Sequence, residues 1–340
     1  MRYGTGDTHD CQLMTKPARS LLRLFAGVVA CAGLPVFDAL AQSYPVKPIR
    51  IVVGFVAGGA VDFNARLIAT KLSEYLGQPV IVENRPGAGS SIGTERVAAS
   101  PPDGYTLLLM ATSGVVQAAL RTNLPYNLER DLAPVSLVSS GAFLLAVHPS
   151  LPARNLRELI ALARSQPGKL NTASPGIGTA NHLAGELFNL TAKVNIVHVP
   201  YKGGAESTIA AASGEVAMTF AAVAVSLALV NAGKLRALGI TSPKRVSLLP
   251  QIPTIAEAGV PGYAYTAWYG MLAPAGVARD IITRLNAAVG KAVQTPDVKA
   301  ALTRQGLEPA ADSPEQFTAL IRADLAQTTR LIKLTGLKAE

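Results

Sequence analysis

Two glycine-bearing turns hold the residues with the most chemical potential in this chain. The first, Gly58-Gly59-Ala60-Val61-Asp62, follows the apolar run Ile49 to Phe55 and precedes Phe63, Leu67, Ile68, Leu72, Tyr75 and Leu76. Those six residues keep a 3.6-residue period, which predicts a helix from about Asp62 to Gly77. A strand, a glycine break and a helix, in that order, leave bare backbone N–H groups at a helix N-terminus. A small anion can sit there without a dedicated cation. The same residues also fit a plain tight connection, and Asp62 reads equally as a helix cap or as an acceptor for a ligand ammonium group. No nucleotide motif is present, since both G-x-G-x-x-G and a following Lys-Ser/Thr are missing.

The second turn, Ser174-Pro175-Gly176-Ile177-Gly178-Thr179-Ala180-Asn181, follows a strand at Leu170 to Ala173 and opens a helix from His182 to Leu190. One helix terminus stabilises an anion by only about 0.3 to 2 kcal/mol, whereas micromolar binding needs about 8 kcal/mol. One turn is therefore insufficient, and two turns facing each other with side-chain donors added become a sensible design. Thr112 and Ser113, just past a strand at Thr106 to Met110, are candidate donors, although hydroxyls in that place also cap turns.

Catalytic and metal readings are weaker. Gly89-Ser90-Ser91-Ile92-Gly93 matches G-x-S-x-G, with Asp103, His148, His182 and His198 downstream. A nucleophile elbow needs its serine directly after a strand, and here Asn84 to Ser90 intervenes as a proline-glycine loop. A serine hydrolase using Ser91 is therefore the minor alternative, and no enzymatic activity is expected. His182 and Glu186 have the spacing of a helical metal pair but no third ligand, so an exposed helix pair is expected, without metal or cofactor. Asn189-Leu190-Thr191 is a formal glycosylation sequon with no expected role.

The elements that must position these turns alternate along the chain. Strand candidates are Ile49 to Phe55, Val80 to Glu83, Thr106 to Met110, Leu144 to Val147, Leu170 to Ala173, Asn195 to Val199, Val216 to Phe220, Leu235 to Ile240 and Tyr265 to Leu272. Helical spacing fits between most of them. An Asn155 to Glu158 capping pair opens one helix, and Ser313-Pro314-Glu315-Gln316 opens the last. Such alternation implies an α/β fold of sheets covered by helices. Pro134 to Pro149 and Pro261 to Pro274 each frame a strand, as two rigid crossings between two lobes would. The expected division is 42–140 with 265–340 as lobe 1 and 141–264 as lobe 2, with the ligand cleft between them.

The chain has 340 residues, 49% hydrophobic and 16% charged, which excludes a disordered protein. Its net charge of +9 is carried by scattered Lys and Arg. Without a basic run or aromatic interleaving, nucleic acid is not an expected partner. Residues 1–41 read as a cleaved secretory signal: Lys16, Arg19 and Arg23, then the apolar Leu24 to Val36, then Ala39-Leu40-Ala41. Residues 1–13 carry Asp7 and Asp10 ahead of that basic flank and read as a mis-called start. Both cysteines, Cys11 and Cys31, fall in this leader.

Several blocks together resemble one family. Y-P-x-K-P-I-R-I-V-V at Tyr44 to Val53, G-G-x-x-D at Gly58 to Asp62, V-E-N-R-P-G-A-G at Val82 to Gly89, P-D-G-Y-T-L-L at Pro102 to Leu108, H-L-A-G-E-L-F at His182 to Phe188, V-P-Y-K-G-G at Val199 to Gly204 and L-A-P-A-G at Leu272 to Gly276 are similar to the substrate-binding proteins of tripartite tricarboxylate transporters, the Bug receptors. The resemblance implies a two-lobed periplasmic binding protein fold of type II, each lobe a mainly parallel sheet flanked by helices. It implies a monomeric periplasmic receptor that captures a small organic acid by hinge closure and hands it to membrane transporter subunits; a receptor feeding a signalling partner is the alternative. Carried over, the family's ligand-binding residues fall on Phe55, Gly58, Gly59 and Asp62 on one side, and on Ser174, Gly178, Thr179 and His182 on the other. The chain departs from the family pattern at Gly54, Ala57, Ala60 and Val61, and Ala217, Ala221 and Ala222 replace polar positions. These departures imply a more apolar acid.

Overall fold

The computed structural model describes residues 44–338, so the leader assigned to residues 1–41, with its early start, lies outside the described residues. The first part of the chain runs β1 (Ile49–Val53), α1 (Ala60–Leu76), β2 (Val80–Asn84), α2 (Ser91–Ala98), β3 (Thr106–Ala111), α3 (Thr112–Leu120) and β4 (Leu132–Gly141). Next come β5 (Phe143–Val147), α4 (Leu156–Ser165), β6 (Asn171–Ser174), α5 (Ala180–Ala192), β7 (Val197–Pro200), α6 (Gly204–Ser213), β8 (Met218–Ala222), α7 (Val223–Asn231) and β9 (Arg236–Ile240). The chain ends with β10 (Ala267–Pro274), α8 (Arg279–Gln294), α9 (Pro296–Arg304), β11 (Leu307–Pro309) and α10 (Pro314–Thr335).

Two sheets form, in the orders β11-β4-β10-β3-β1-β2 and β7-β6-β8-β5-β9. The helix-flanked sheets match expectation, but mainly parallel pairing does not hold. β1 runs parallel to β2 and β3, and β6 runs parallel to β7 and β8, each through a helical crossover. Every pairing of β4, β5 and β10 is antiparallel. The reason is the routing of the chain: only Ala142 separates β4 in one sheet from β5 in the other, and β10 returns from the second sheet, so neither crossing carries the helical connection a parallel neighbour needs.

Strand periodicity explains why both sheets are covered on two faces. In β5, Leu145 and Val147 join a core with Leu156, Leu159 and Phe188, while Leu144 and Ala146 join a second one with Ala210, Ala211 and Val223. In β3, Leu107 and Leu109 face the core of α1 and α8, and Leu108 and Met110 face that of α2 and α10. A period of two thus sends alternate residues into opposite cores. Gly270 sits where a Cβ would lie 2.1 Å from the Phe317 ring, so its missing side chain lets α10 close on β10.

The helix ends follow their cap chemistry. α1 stops at Gly77 in the left-handed conformation, whose N–H donates to Ser73 O. Asn155 caps α4 through Glu158 N–H, and Ser313 forms a full capping box with Gln316. Registers place the chain crossings on one edge. Gly141 pairs with Ala267, Phe143 with Ala222, and Leu144 with Ile240. The C-terminal ends of β1, β2 and β3 in one sheet, and of β6, β7 and β8 in the other, therefore lie on the edge where the chain passes between sheets. In open α/β sheets this is the edge where ligands bind.

Candidate functional site

The β1–α1 turn is built around a buried carboxylate. Asp62, 3% exposed, is the third residue of α1 rather than its cap; the cap position is Gly59. Its Oδ2 accepts from Gly58 N–H at 2.9 Å and from Arg66 Nε at 2.9 Å, and its Oδ1 accepts from Asn84 Nδ2 at 2.9 Å. Burial alone would raise its pKa, but the bonds from Arg66, Gly58 and Asn84 outweigh it, so the group is held below the usual carboxylate range. Asn84 Nδ2 also donates to Phe55 O at 3.1 Å, tying the turn to the end of β2. Asp62 is thus spent on shaping the turn.

That arrangement leaves a free helix end. Gly58 has φ +83°, a conformation suited to glycine, and a Cβ there or at Gly59 would meet no side chain within 4 Å. Among the described residues, the N–H groups of Gly59, Ala60 and Val61 find no acceptor beyond the helix, as the first turn of any helix dictates. The Arg66 guanidinium already pairs with Asp62 and Asn84, so no free cation of its own neutralises the turn.

The β6–α5 turn is closed by comparison. Thr179 caps α5, accepting from His182 N–H at 3.3 Å, and Ala180 N–H donates to Ser113 Oγ at 3.3 Å. Gly178 N–H donates to His182 Nδ1 at 3.2 Å. Ser174 Oγ shares a 2.6 Å hydrogen bond with His198 Nε2 and accepts from Gly176 N–H at 3.1 Å. The His182 and His198 rings stack with centroids 3.6 Å apart. Desolvation, then the neighbouring His182, pushes His198 down to about 3. His182, 4% exposed, with Glu186 Oε1 3.6 Å from its Nε2, is therefore not the exposed helix pair anticipated. Its ring sits behind the turn, because the stack with a residue sixteen positions away buries it.

Thr112 and Ser113 are engaged as well. Thr112 Oγ1 accepts from Trp268 N–H at 2.8 Å, fastening α3 to β10, while Ser113 meets α5. Ser91 opens α2 behind a short 3₁₀ turn at Ala88–Ser90, and its hydroxyl makes no hydrogen bond to a histidine. The sequon residue Asn189 exchanges two hydrogen bonds with Ile196 and is structural. Among the described residues no cluster of three or more His, Cys, Asp or Glu could hold a metal.

Two features escaped the sequence. Asn84 and Arg66 hold Asp62, and the four-residue step from Asp62 to Arg66 was the available signal. The other feature is the β7–α6 turn, which repeats the construction of the first. Gly203 is the cap, Glu206 is the third helical residue, and its carboxylate accepts from Lys202 N–H at 3.2 Å. The matching pattern, glycine at the cap and an acid three residues later, was present in the sequence. Cavities of about 360 and 410 Å³ flank residues 121–125, and neither is lined by Gly58, Gly59 or the Ser174–Thr179 turn.

Comparison with known proteins gives a consistent assignment. The model of the tripartite tricarboxylate transporter family receptor matches residues 64–337. The protein BugT of Bordetella pertussis is 36% identical over 320 residues, covering 94% of this chain and 98% of BugT. An R. palustris protein solved with adipate superposes with a TM-score of 0.80 at 35% identity, covering 87% of this chain and 99% of that one. MatC from Rhodopseudomonas palustris, with bound malate, gives 0.77 at 31% identity over 85% and 100%.

Proposed function

Because the chain belongs to the tripartite tricarboxylate transporter family of receptors, we propose that it is an extracytoplasmic receptor for a small organic carboxylate. The observation that carries this reading is the α1 N-terminus. Its Gly59, Ala60 and Val61 amides are unspent, and the nearest carboxylate, Asp62, is turned to other donors. An incoming carboxylate completes what Asp62 leaves open, with the helix dipole favouring negative charge. The two relatives solved with adipate and with malate support a carboxylate ligand.

In this reading residues 42–140 with 265–340 form one lobe and 141–264 the other, and they close about the crossings at Ala142 and Tyr265. Phe55, Gly58 and Gly59 meet the ligand directly, and Asp62 acts through the turn it shapes. Ser174, Gly178, Thr179 and His182 hold the facing turn in shape. The signal at residues 1–41 exports the chain to the periplasm, where it works as a monomer and delivers its acid to tripartite membrane subunits. Ala221 and Ala222, at the end of β8 on the ligand-facing edge, favour an acid with an apolar body.

Calorimetric titration with adipate, malate, citrate and benzoate tests this. The expected result is binding of a mono- or dicarboxylate ahead of citrate. Preference for citrate removes the apolar version, and heat that is unchanged in Gly59→Asp removes the α1 site.

A further inference from the structure

One buried polar side chain touches both sides of the edge between the sheets. Gln117, in the second turn of α3, is 2% exposed. Its Nε2 donates to Gly178 O at 3.1 Å, and its Oε1 accepts from Arg121 Nε at 2.8 Å. A guanidinium only donates and a carbonyl only accepts, so this pair of neighbours fixes which way the amide points. On its other side the amide presses on the β2–α2 loop. A Cβ at Gly89 would lie 2.5 Å from Gln117 Cδ, and one at Gly178 would lie 2.6 Å from Gln117 Nε2. Both glycines have positive φ, 65° and 70°, so each loop gives up its side chain where the amide passes. The β2–α2 loop in turn abuts the end of β1, where a Cβ on Gly54 would lie 2.6 Å from Ser90 Cβ. Gln117 is thus one member of a continuous contact from the end of β1 at Gly54, through Ser90 and Gly89, to Gly178 in the β6–α5 turn.

We propose that Gln117 is a positioning residue that sets the spacing between the two loop systems and so governs how long a bound acid is retained. This rests on the carboxylate-receptor reading for its ligand, but not for its geometry. The amide supplies a donor to Gly178 O and an acceptor to Arg121 Nε from one planar group. Leu or Met fills the space without either bond, and Glu sets an oxygen against the Gly178 carbonyl. Val116, Leu183 and Leu331 pack together beside it and keep α3 against α5 when the amide is lost. Removal of Gln117 therefore loosens the spacing without separating the sheets.

The test uses the full chain with Cys11→Ser and Cys31→Ser, and spin labels on Thr70→Cys in α1 and Ser213→Cys in α6, both exposed. Without ligand, Gln117→Leu and Gln117→Met shift the label distance distribution outward and broaden it, while the unfolding midpoint stays near that of the parent. With adipate and malate as probes, the same variants raise the dissociation rate about tenfold, equivalent to about 1.4 kcal/mol, at an unchanged association rate. Unchanged distance distributions in both folded variants overturn the proposal, whatever the acids do. If the parent binds neither acid, the carboxylate reading fails by itself, and the label distances alone decide the role of Gln117.

Discussion

The helix N-termini of α1 and α5 sit on the same edge of the molecule, at the ends of parallel strands, and they are in opposite states. At α1 the acid is the third helical residue, the cap is a glycine, and the amides of Gly59, Ala60 and Val61 are unspent. At α5 Thr179 caps the helix by accepting from the His182 amide, and Ser113 takes the Ala180 amide. A helix N-terminus is an anion site only when its amides are left over, so strand-turn-glycine-helix order alone does not find one. The α6 end, with Gly203 and Glu206 in the places of Gly59 and Asp62, belongs with α1 in this respect.

The contrast can be broken most forcefully at Asp62. Asp62→Ala strands Gly58 N–H and Asn84 and frees Arg66, and should cost about 2 kcal/mol of stability together with most acid binding, read by chemical denaturation and calorimetry. Next comes filling the open end from within. Gly59→Asp places an acceptor at the cap, so stability should rise by a few tenths of a kcal/mol while affinity for adipate or malate falls at least about tenfold. The converse change at the closed end sharpens the comparison: Thr179→Ala should lower stability by about 1 kcal/mol and leave acid affinity within about twofold. A binding loss larger than that would make α5 an equal partner.

A smaller effect comes from pH. His198, pushed down to about 3, stays neutral in the folded chain where an unfolded histidine, at about 6.5, takes up a proton. Between those values the unfolded state binds more protons, so stability falls as pH drops from 6.5 and is unaffected above it. The lowered Asp62 acts in a separate window, its contribution present above the ordinary aspartate value and lost below it. Melting curves from pH 7 to 4 should therefore decline less steeply in His198→Phe than in the parent.

Much of this was legible from local chemistry. The glycine stop at Gly77, the Asn155 and Ser313 caps and the apolar period of α1 all act over a few residues and were readable as such. What could not be read depends on distant partners. β11 is three residues with a proline and exists only because β4 lies beside it. The antiparallel entry of β10 depends on where the chain returns from the second sheet. The state of each turn was hidden for the same reason: Asn84 lies 22 residues from Asp62, and Ser113 lies 67 from Ala180. A motif names the residues of a turn, but tertiary neighbours decide which of its donors are left for a ligand.

The most direct test of that claim is amide chemical-shift perturbation on adding adipate or malate to the isotope-labelled protein. Saturating shifts concentrated at Gly59, Ala60 and Val61, and larger than those at Ala180, Asn181 and His182, are the predicted result. Shifts centred on Ala180 to His182 with Gly59 to Val61 unmoved would contradict the account.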